Sequence, residues 1–433
     1  MRIQKLITLC MLSLALTVSA QTESKKWDLS SCIDYALTNN IEIQKTVLNK
    51  EQSEVNTKLA KAQLLPSLSG SIGQNLSTVF ASSSSAYTGS AGLSASMKLF
   101  DGSKTLKTIE QQKLLEESAS YSVAASENNI QIAILQSYMK ILYASEAVKV
   151  YASTVDKSDF QYKRAVELKN AGSISSADLA LLESQLSADK YLLVVAQNTL
   201  STSKLELKQL LELAPGQDIE LAIPTLSTTE VLKPLSSLQS VFETSLKVMP
   251  QVQSSKNSIK ISDLELQKAK AGYLPSLSLN ASTGSYYSTA NTSTINNQFS
   301  DNFNAGIGLS LSIPIFTNRE NKSAVEKAKI SQKTVQLEML ETEKTLLKEV
   351  ESVYQDALSA QSQYVAASEK VKANESSYNL VMQQFNLGMR NTLELLTEKN
   401  NLLAAQQNMM QAKYLSIMNI QILNVYQNLE VGI

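Results

Sequence analysis

A pentapeptide that occurs twice constrains this chain more than any other feature. Residues 65–69 read Leu-Pro-Ser-Leu-Ser, and residues 274–278 read the same, 209 positions later. Each copy leads into an alternating stretch, a polar gap and a second alternating stretch. These close at Leu99-Phe100-Asp101-Gly102 and at Ile315-Phe316-Thr317-Asn318. Nearly seventy residues without proline or glycine follow each, ending at Gly172 and Gly388. Phe100 to Phe316 and Gly172 to Gly388 are both 216 apart, seven more than the pentapeptides. A repeat on this scale makes the fold one unit used twice. The expected layout is a first repeat over 21–213, a linker over 214–234 carrying Pro215, Gly216, Pro224 and Pro234, and a second repeat over 235–433.

From Ser67 the apolar period is two. Leu68, Ile72 and Leu76 alternate with Ser67, Ser69, Ser71, Gly73 and Asn75, and Leu93, Ala95, Met97 and Leu99 continue the scheme. Leu277, Leu279 and Ala281, then Phe303, Ala305, Ile307, Leu309, Leu311 and Ile313, repeat it in the second half. Strands are expected at about 67–77, 88–100, 276–286 and 302–313, each near the ~10 residues that a tilted strand needs to cross a bilayer. The second face is small and uncharged, as the wall of a water-filled lumen would be. Tyr286, Tyr287, Phe299, Phe80 and Tyr87 stand near strand ends, where an interfacial aromatic belt belongs. Two ordinary hairpins on a soluble core are the alternative.

The long runs, Ser103–Asn170 and Arg319–Leu387, would each be helices of roughly 100 Å at ~1.5 Å per residue. Apolar residues follow two seams on the first. Tyr121, Ala125, Ile132, Leu135, Met139 and Leu142 form one; Ile134, Tyr138, Ile141, Val148, Ala152 and Val155 form the other. A helix with two seams packs against neighbours on both sides, and such helices build a curved wall. Shorter helices are expected at about 175–213 and 392–429, and before the strands at 30–65, interrupted at Asn39-Asn40, and at 236–274. The fold class is therefore mainly α with a β membrane part, internally duplicated. Four strands cannot sit in lipid with unpaired edges, so the sheet must close through copies of the chain. Two copies would give eight strands, a barrel whose interior side chains largely fill, and three copies would give twelve.

Composition removes other functions. Histidine is absent, which excludes imidazole general bases and the commonest transition-metal ligands. No phosphate-binding glycine loop and no activated Ser or Cys setting is present, so neither enzyme activity nor any cofactor or metal is expected. The start of the chain, with Arg2, Lys5, an apolar run from Leu6 to Val18 and Val18-Ser19-Ala20, reads as a signal peptide over 1–20. Beyond it stand 37 basic and 40 acidic side chains, so nothing points to nucleic acid. One cysteine, Cys32, remains, and its expected role is packing.

The repeat, the Leu-Pro-Ser strand starts and two helix-turn signatures resemble the TolC-type outer-membrane efflux channel family over essentially the whole chain beyond the signal peptide. Cys32-Ile33-Asp34-Tyr35-Ala36-Leu37 followed by Asn39-Asn40 is similar to the family's amino-terminal pattern. Gly172-Ser173-Ile174-Ser175-Ser176-Ala177-Asp178-Leu179 resembles its first turn, and Gly388-Met389-Arg390-Asn391-Thr392-Leu393-Glu394-Leu395-Leu396 its second. The resemblance implies a homotrimer in the outer membrane, a helical tube across the periplasm, and a periplasmic adaptor and inner-membrane pump as partners. It implies an entrance at the helix tips, with Arg390 matching the family's entrance arginine and Asp178 its acidic partner on the neighbouring hairpin. Phe385 stands where a tyrosine often adds a closing bond, and Thr397 where some members carry an aspartate ring. Leu168, Gly172, Ser173, Leu387, Gly388 and Met389 would meet the adaptor. A periplasmic coiled-coil adaptor is the rival reading, although it should have one long hairpin where this chain has two.

Overall fold

The computed structural model describes residues 26–79, 84–217, 219–224 and 226–432. The expected signal peptide, with Arg2, Lys5 and Cys10, and the aromatic Phe80 lie outside the described residues.

The elements follow the duplication closely. Helices α1 (Leu29–Asn39) and α2 (Ile41–Ala62) precede strands β1 (Ser67–Val79) and β2 (Ser84–Phe100), then α3 (Lys104–Asn170) and α4 (Ser176–Leu210). A single turn, α5 (Thr228–Val231), stands in the linker. The second copy comprises α6 (Leu238–Val248), α7 (Pro250–Ala271), β3 (Ser276–Ser288), β4 (Asn304–Ser312), α9 (Glu320–Asn386) and α10 (Thr392–Tyr426), with a short helix α8 (Ile295–Asp301) between its strands. Helices α3 and α9 are both 67 residues, and α4 and α10 both 35. Helix α2 ends before Pro66, whose ring disfavours helical geometry in the residue preceding it. Pro250 instead opens α7, at the position where a missing N–H costs nothing.

The seven extra residues of the second repeat fall between β3 and β4, where α8 stands. Ladder pairing of β3 with β4 stops at Gly284↔Asn304. Beyond it α8 and its flanks take over. Ser285 Oγ donates to the Phe299 carbonyl at 2.6 Å, Ser288 N–H to Gln298 Oε1 at 2.8 Å, and Asn302 Nδ2 to the Tyr286 carbonyl at 2.7 Å.

The chain groups into two compact units, each drawing on both repeats. Among the described residues, one comprises 26–41, Glu127–Val241 and 350–432; the other comprises Glu42–Ser126 and Phe242–Glu349. In the first, α3 is buried almost all round between Ile134 and Leu142, so the two apolar seams expected there both find partners. Leu29, Cys32 and Ala36 of α1, Leu207 of α4 and Ile417 of α10 join the same core. The linker is pinned to it. Trp27 bridges Leu221 in parallel, and Tyr138 Oη donates to the Ala222 carbonyl at 2.6 Å. Cys32 is fully enclosed, and burial, with the Asp28 charge adding, pushes its thiol up to about 12.

In the second unit the sheet order is β1-β2-β3-β4, antiparallel throughout. The register sorts side chains by chemistry. Leu68, Ile72, Ala91, Leu93, Ala95, Ala281, Ile307 and Leu309 share one face; Ser69, Ser71, Ser94, Ser96, Asn280, Ser282, Gly308 and Ser310 share the other. The apolar face is uncovered: Ile72 is 83% and Ile307 77% exposed. On the polar face, hydroxyls and amides bond across the strands, with Ser96 Oγ donating to Asn280 Oδ1 at 2.9 Å.

Candidate functional site

The two helix-hairpin tips are built alike because the repeat supplies each with the same stop and start. Gly172 has φ +73° and Gly388 φ +74°, a left-handed backbone that glycine adopts without a Cβ penalty. Ser173 N–H donates to the Leu168 carbonyl at 2.8 Å, and Met389 N–H to the Gln384 carbonyl at 2.9 Å. These six-to-one bonds satisfy carbonyls that each long helix would otherwise leave unpaired at its end. Two residues on, Ser175 and Asn391 cap the returning helices. Each forms a capping box, with Asp178 and Glu394 as its respective third helical residue.

Asp178 and Glu394 thus occupy equivalent places in the repeat, and that changes the expected pairing. Arg390 donates from Nη1 to Glu394 Oε1 at 3.0 Å and from Nε to Gln384 Oε1 at 2.9 Å. Asp178 accepts from Ser175 Oγ at 2.7 Å, and that bond, with the Thr392 side chain of the other hairpin close by, holds its carboxyl below the usual range. Within the chain Arg390 therefore meets Glu394 of its own hairpin, and Asp178 lies beside Thr392 of the other hairpin. The Arg390–Glu394 pair is nearly half exposed on both sides, so it stabilises by at most about 1 kcal/mol. Thr392 is buried at 2% exposure. It is the tip residue that the sequence reading missed, although its position beside the cap Asn391 was a usable signal.

A cleft of about 720 Å³ opens between the tips. It brings together Leu168, Gly172, Ser173, Asp178, Phe385, Leu387, Gly388 and Arg390 from the expected set; Met389 and Thr397 do not line it. Leu387 is 74% and Met389 70% exposed. Phe385 packs against the cluster of Tyr378, Leu395 and Leu402. Thr397 is exposed and donates its hydroxyl to the Leu393 carbonyl of its own helix at 2.8 Å.

Behind the tips lies a polar cluster that no sequence motif announced. Lys399 of α10 donates to Asp189 of α4 and, at 2.6 Å, to Ser158 Oγ of α3. Asp189 also accepts from Ser158 Oγ at 2.5 Å and from Gln185 Nε2 at 2.9 Å. Burial pulls the Lys399 ammonium below its ordinary value, with Asp189 opposing. Alongside, Gln161 Nε2 of α3 donates to Tyr378 Oη of α9 at 2.9 Å.

The sequence profile of the outer membrane efflux protein family matches residues 32–212 and 242–421, once for each repeat. The chain belongs to this family. It is an outer-membrane efflux channel, and the adaptor reading is set aside. Among relatives, it is 24% identical over 400 residues to the probable efflux pump outer membrane protein TtgC of Pseudomonas putida, covering 88% of this chain and 78% of that one. Against outer membrane protein TolC of Escherichia coli, identity is 22%, covering 92% and 81%. The fold matches CusC in a crystal structure concerned with transmembrane channel formation, with a TM-score of 0.79, 18% identity and 95% of each chain covered. It also matches the open state of the MtrE outer membrane channel of Neisseria gonorrhoeae, with a TM-score of 0.70, 18% identity and coverage of 92% and 88%.

Proposed function

We propose that this outer membrane efflux protein works as a homotrimer, three four-stranded sheets closing into a twelve-stranded barrel through which cargo leaves the cell. The observation that carries this reading is the sheet. It has one uncovered apolar face, one small polar face, and two unpaired edges, β1 and β4. In hydrocarbon an unpaired edge strands backbone N–H and C=O groups, at several kcal/mol each. Pairing β4 of one copy with β1 of the next removes every edge and turns all the leucines outward. Cysteines scanned along β1 (Ser67 to Ser77) against β4 (Asn304 to Ser312) test it. At the paired register they link chains into a covalent ladder that ends at three. Monomers at every register, or a ladder running past three, would refute the closure.

On the periplasmic side, the hairpin tips form the entrance, and a periplasmic adaptor seats on them and delivers cargo from an inner-membrane pump. Exposed Leu387 and Met389, with Leu168 beside the cleft, are the apolar contacts offered to that adaptor; Gly172, Ser173 and Gly388 allow its backbone close approach. Asp178, beside Thr392 of the other hairpin, and the Arg390–Glu394 pair stand at that entrance, Phe385 packs behind them, and Thr397 presents no charge to the passage. Copurification of an adaptor with the wild-type protein, lost in Leu387→Asp/Met389→Asp, supports this seat. Retention in the double variant would move it elsewhere.

A further inference from the structure

The two hairpins of the first unit are stitched together by polar side chains along the seam between α3 and α10. Glu146 of α3 accepts from Tyr414 Oη at 2.5 Å and pairs with Lys413 at 3.2 Å. Further toward the tips, Gln407 Nε2 donates to Tyr151 Oη. Further still, Lys399 meets Ser158 and Asp189. Numbers rise on α3 as they fall on α10, so these are three successive stitches of one antiparallel seam. The last is the most deeply enclosed, with side-chain exposures of 6% for Lys399 and 1% for Asp189. Beyond it the contacts between hairpins are neutral or exposed. Gln161 Nε2 of α3 donates to Tyr378 Oη of α9, Ala165, Leu182 and Leu396 form a small buried cluster, and Asp178 lies beside Thr392. Lys399 stands about two turns into α10 from the tip.

We propose that the Asp189–Lys399–Ser158 cluster is the fixed point about which the hairpins part when the entrance opens, so that it sets the length of the movable tips and hence the aperture. The proposal rests on the channel reading. Parting the contacts tipward of it exposes two leucines and an alanine and breaks neutral hydrogen bonds, a modest cost. Parting the helices past Lys399 breaks its charge-assisted bond to Asp189 and its bond to Ser158 together, and charge-assisted bonds are roughly twice as strong as neutral ones. Separation therefore runs from the tips back to this level and stops. These are positioning residues; none needs to touch cargo.

The test uses the full chain with Cys32→Ala, reconstituted in planar bilayers, and disulfides placed on either side of the cluster. The tipward pair is Ala165→Cys with Leu396→Cys, and the pair behind the cluster is Tyr151→Cys with Gln407→Cys. Oxidising the tipward pair should cut visits to the fully open level at least tenfold, with recovery on reduction. Oxidising the rear pair should leave that level unchanged. Lys399→Met, which leaves Asp189 enclosed without its counter-charge until the helices part, should raise the open conductance, and Asp189→Leu/Lys399→Met, which removes both charges, should restore it. A rear disulfide that lowers the open level, or a Lys399→Met variant that opens only as far as wild type, would overturn the fixed point. Absence of any conductance from unmodified protein would overturn the channel reading itself, and this proposal with it.

Discussion

Lys399→Met removes one half of an ion pair that the fold has taken almost wholly out of water. The side chains keep a similar length, so packing is preserved and the electrostatic change dominates. In the variant, Asp189 is left at 1% exposure with two neutral donors, Ser158 Oγ at 2.5 Å and Gln185 Nε2 at 2.9 Å. Removing one partner of a buried pair typically costs about 3–5 kcal/mol. The two retained hydrogen bonds place this case near the low end, at about 3 kcal/mol. Replacing both partners, Asp189→Leu/Lys399→Met, removes two desolvation penalties together with their attraction, and should lie within about 1 kcal/mol of wild type. A double-mutant cycle in urea, followed by far-ultraviolet circular dichroism of detergent-solubilised protein, should therefore return a coupling of at least about 2 kcal/mol. If Lys399→Met alone costs less than about 1 kcal/mol, or the two substitutions simply add, the pair is not the enclosed interaction described here.

Other predictions follow from the same geometry. The Cys32 thiol sits at about 12 in the fold against an ordinary 9.0, so the unfolded chain ionises first as pH rises. Stability should fall between those values, by about 1.4 kcal/mol at one pH unit above the ordinary value; Cys32→Ala should lose that slope in melts taken from pH 8 to 10.5. Asp178 is held below its ordinary 3.8, so its contribution is complete above that value and is lost as pH falls through the lowered one. Channel opening in bilayers should rise on acidification into that range in wild type and become insensitive to it in Asp178→Ala. At neutral pH Asp178→Ala should raise conductance; unchanged traces would remove this side chain from the entrance. Gly388→Ala meets no atom within 4 Å, so it should cost only the left-handed backbone penalty of roughly 1–2 kcal/mol, visible as a modest drop in melting temperature.

Much of this architecture was legible because repetition and period are written directly into the chain. The 216-residue spacing of Gly172 and Gly388 located both hairpin tips, and the period of two located all four strands, to within a few residues at most ends. Helix α8 was not legible. Its residues carry no amphipathic period, and it is held by bonds between the Gln298 and Asn302 side chains and the β3 backbone beyond the reach of β4. Within the chain the tip pairing differs for another reason. The family resemblance pairs Arg390 with Asp178, but the capping box of each returning helix claims its own third residue, and Arg390, just before the cap Asn391, finds Glu394 four positions on. The Lys399 cluster joins residues 158, 189 and 399. A lone lysine on a polar helix face looks solvated until its neighbours are known, so distance in sequence hid the most enclosed charge of the tip region.

The most direct test of the central claim is single-channel recording from purified protein in planar lipid bilayers. A four-stranded sheet closed by identical copies around a small polar lumen should insert as discrete, equal conductance steps, from an oligomer that runs as three chains before heating. Protein that stays monomeric and inserts without conductance steps would contradict it.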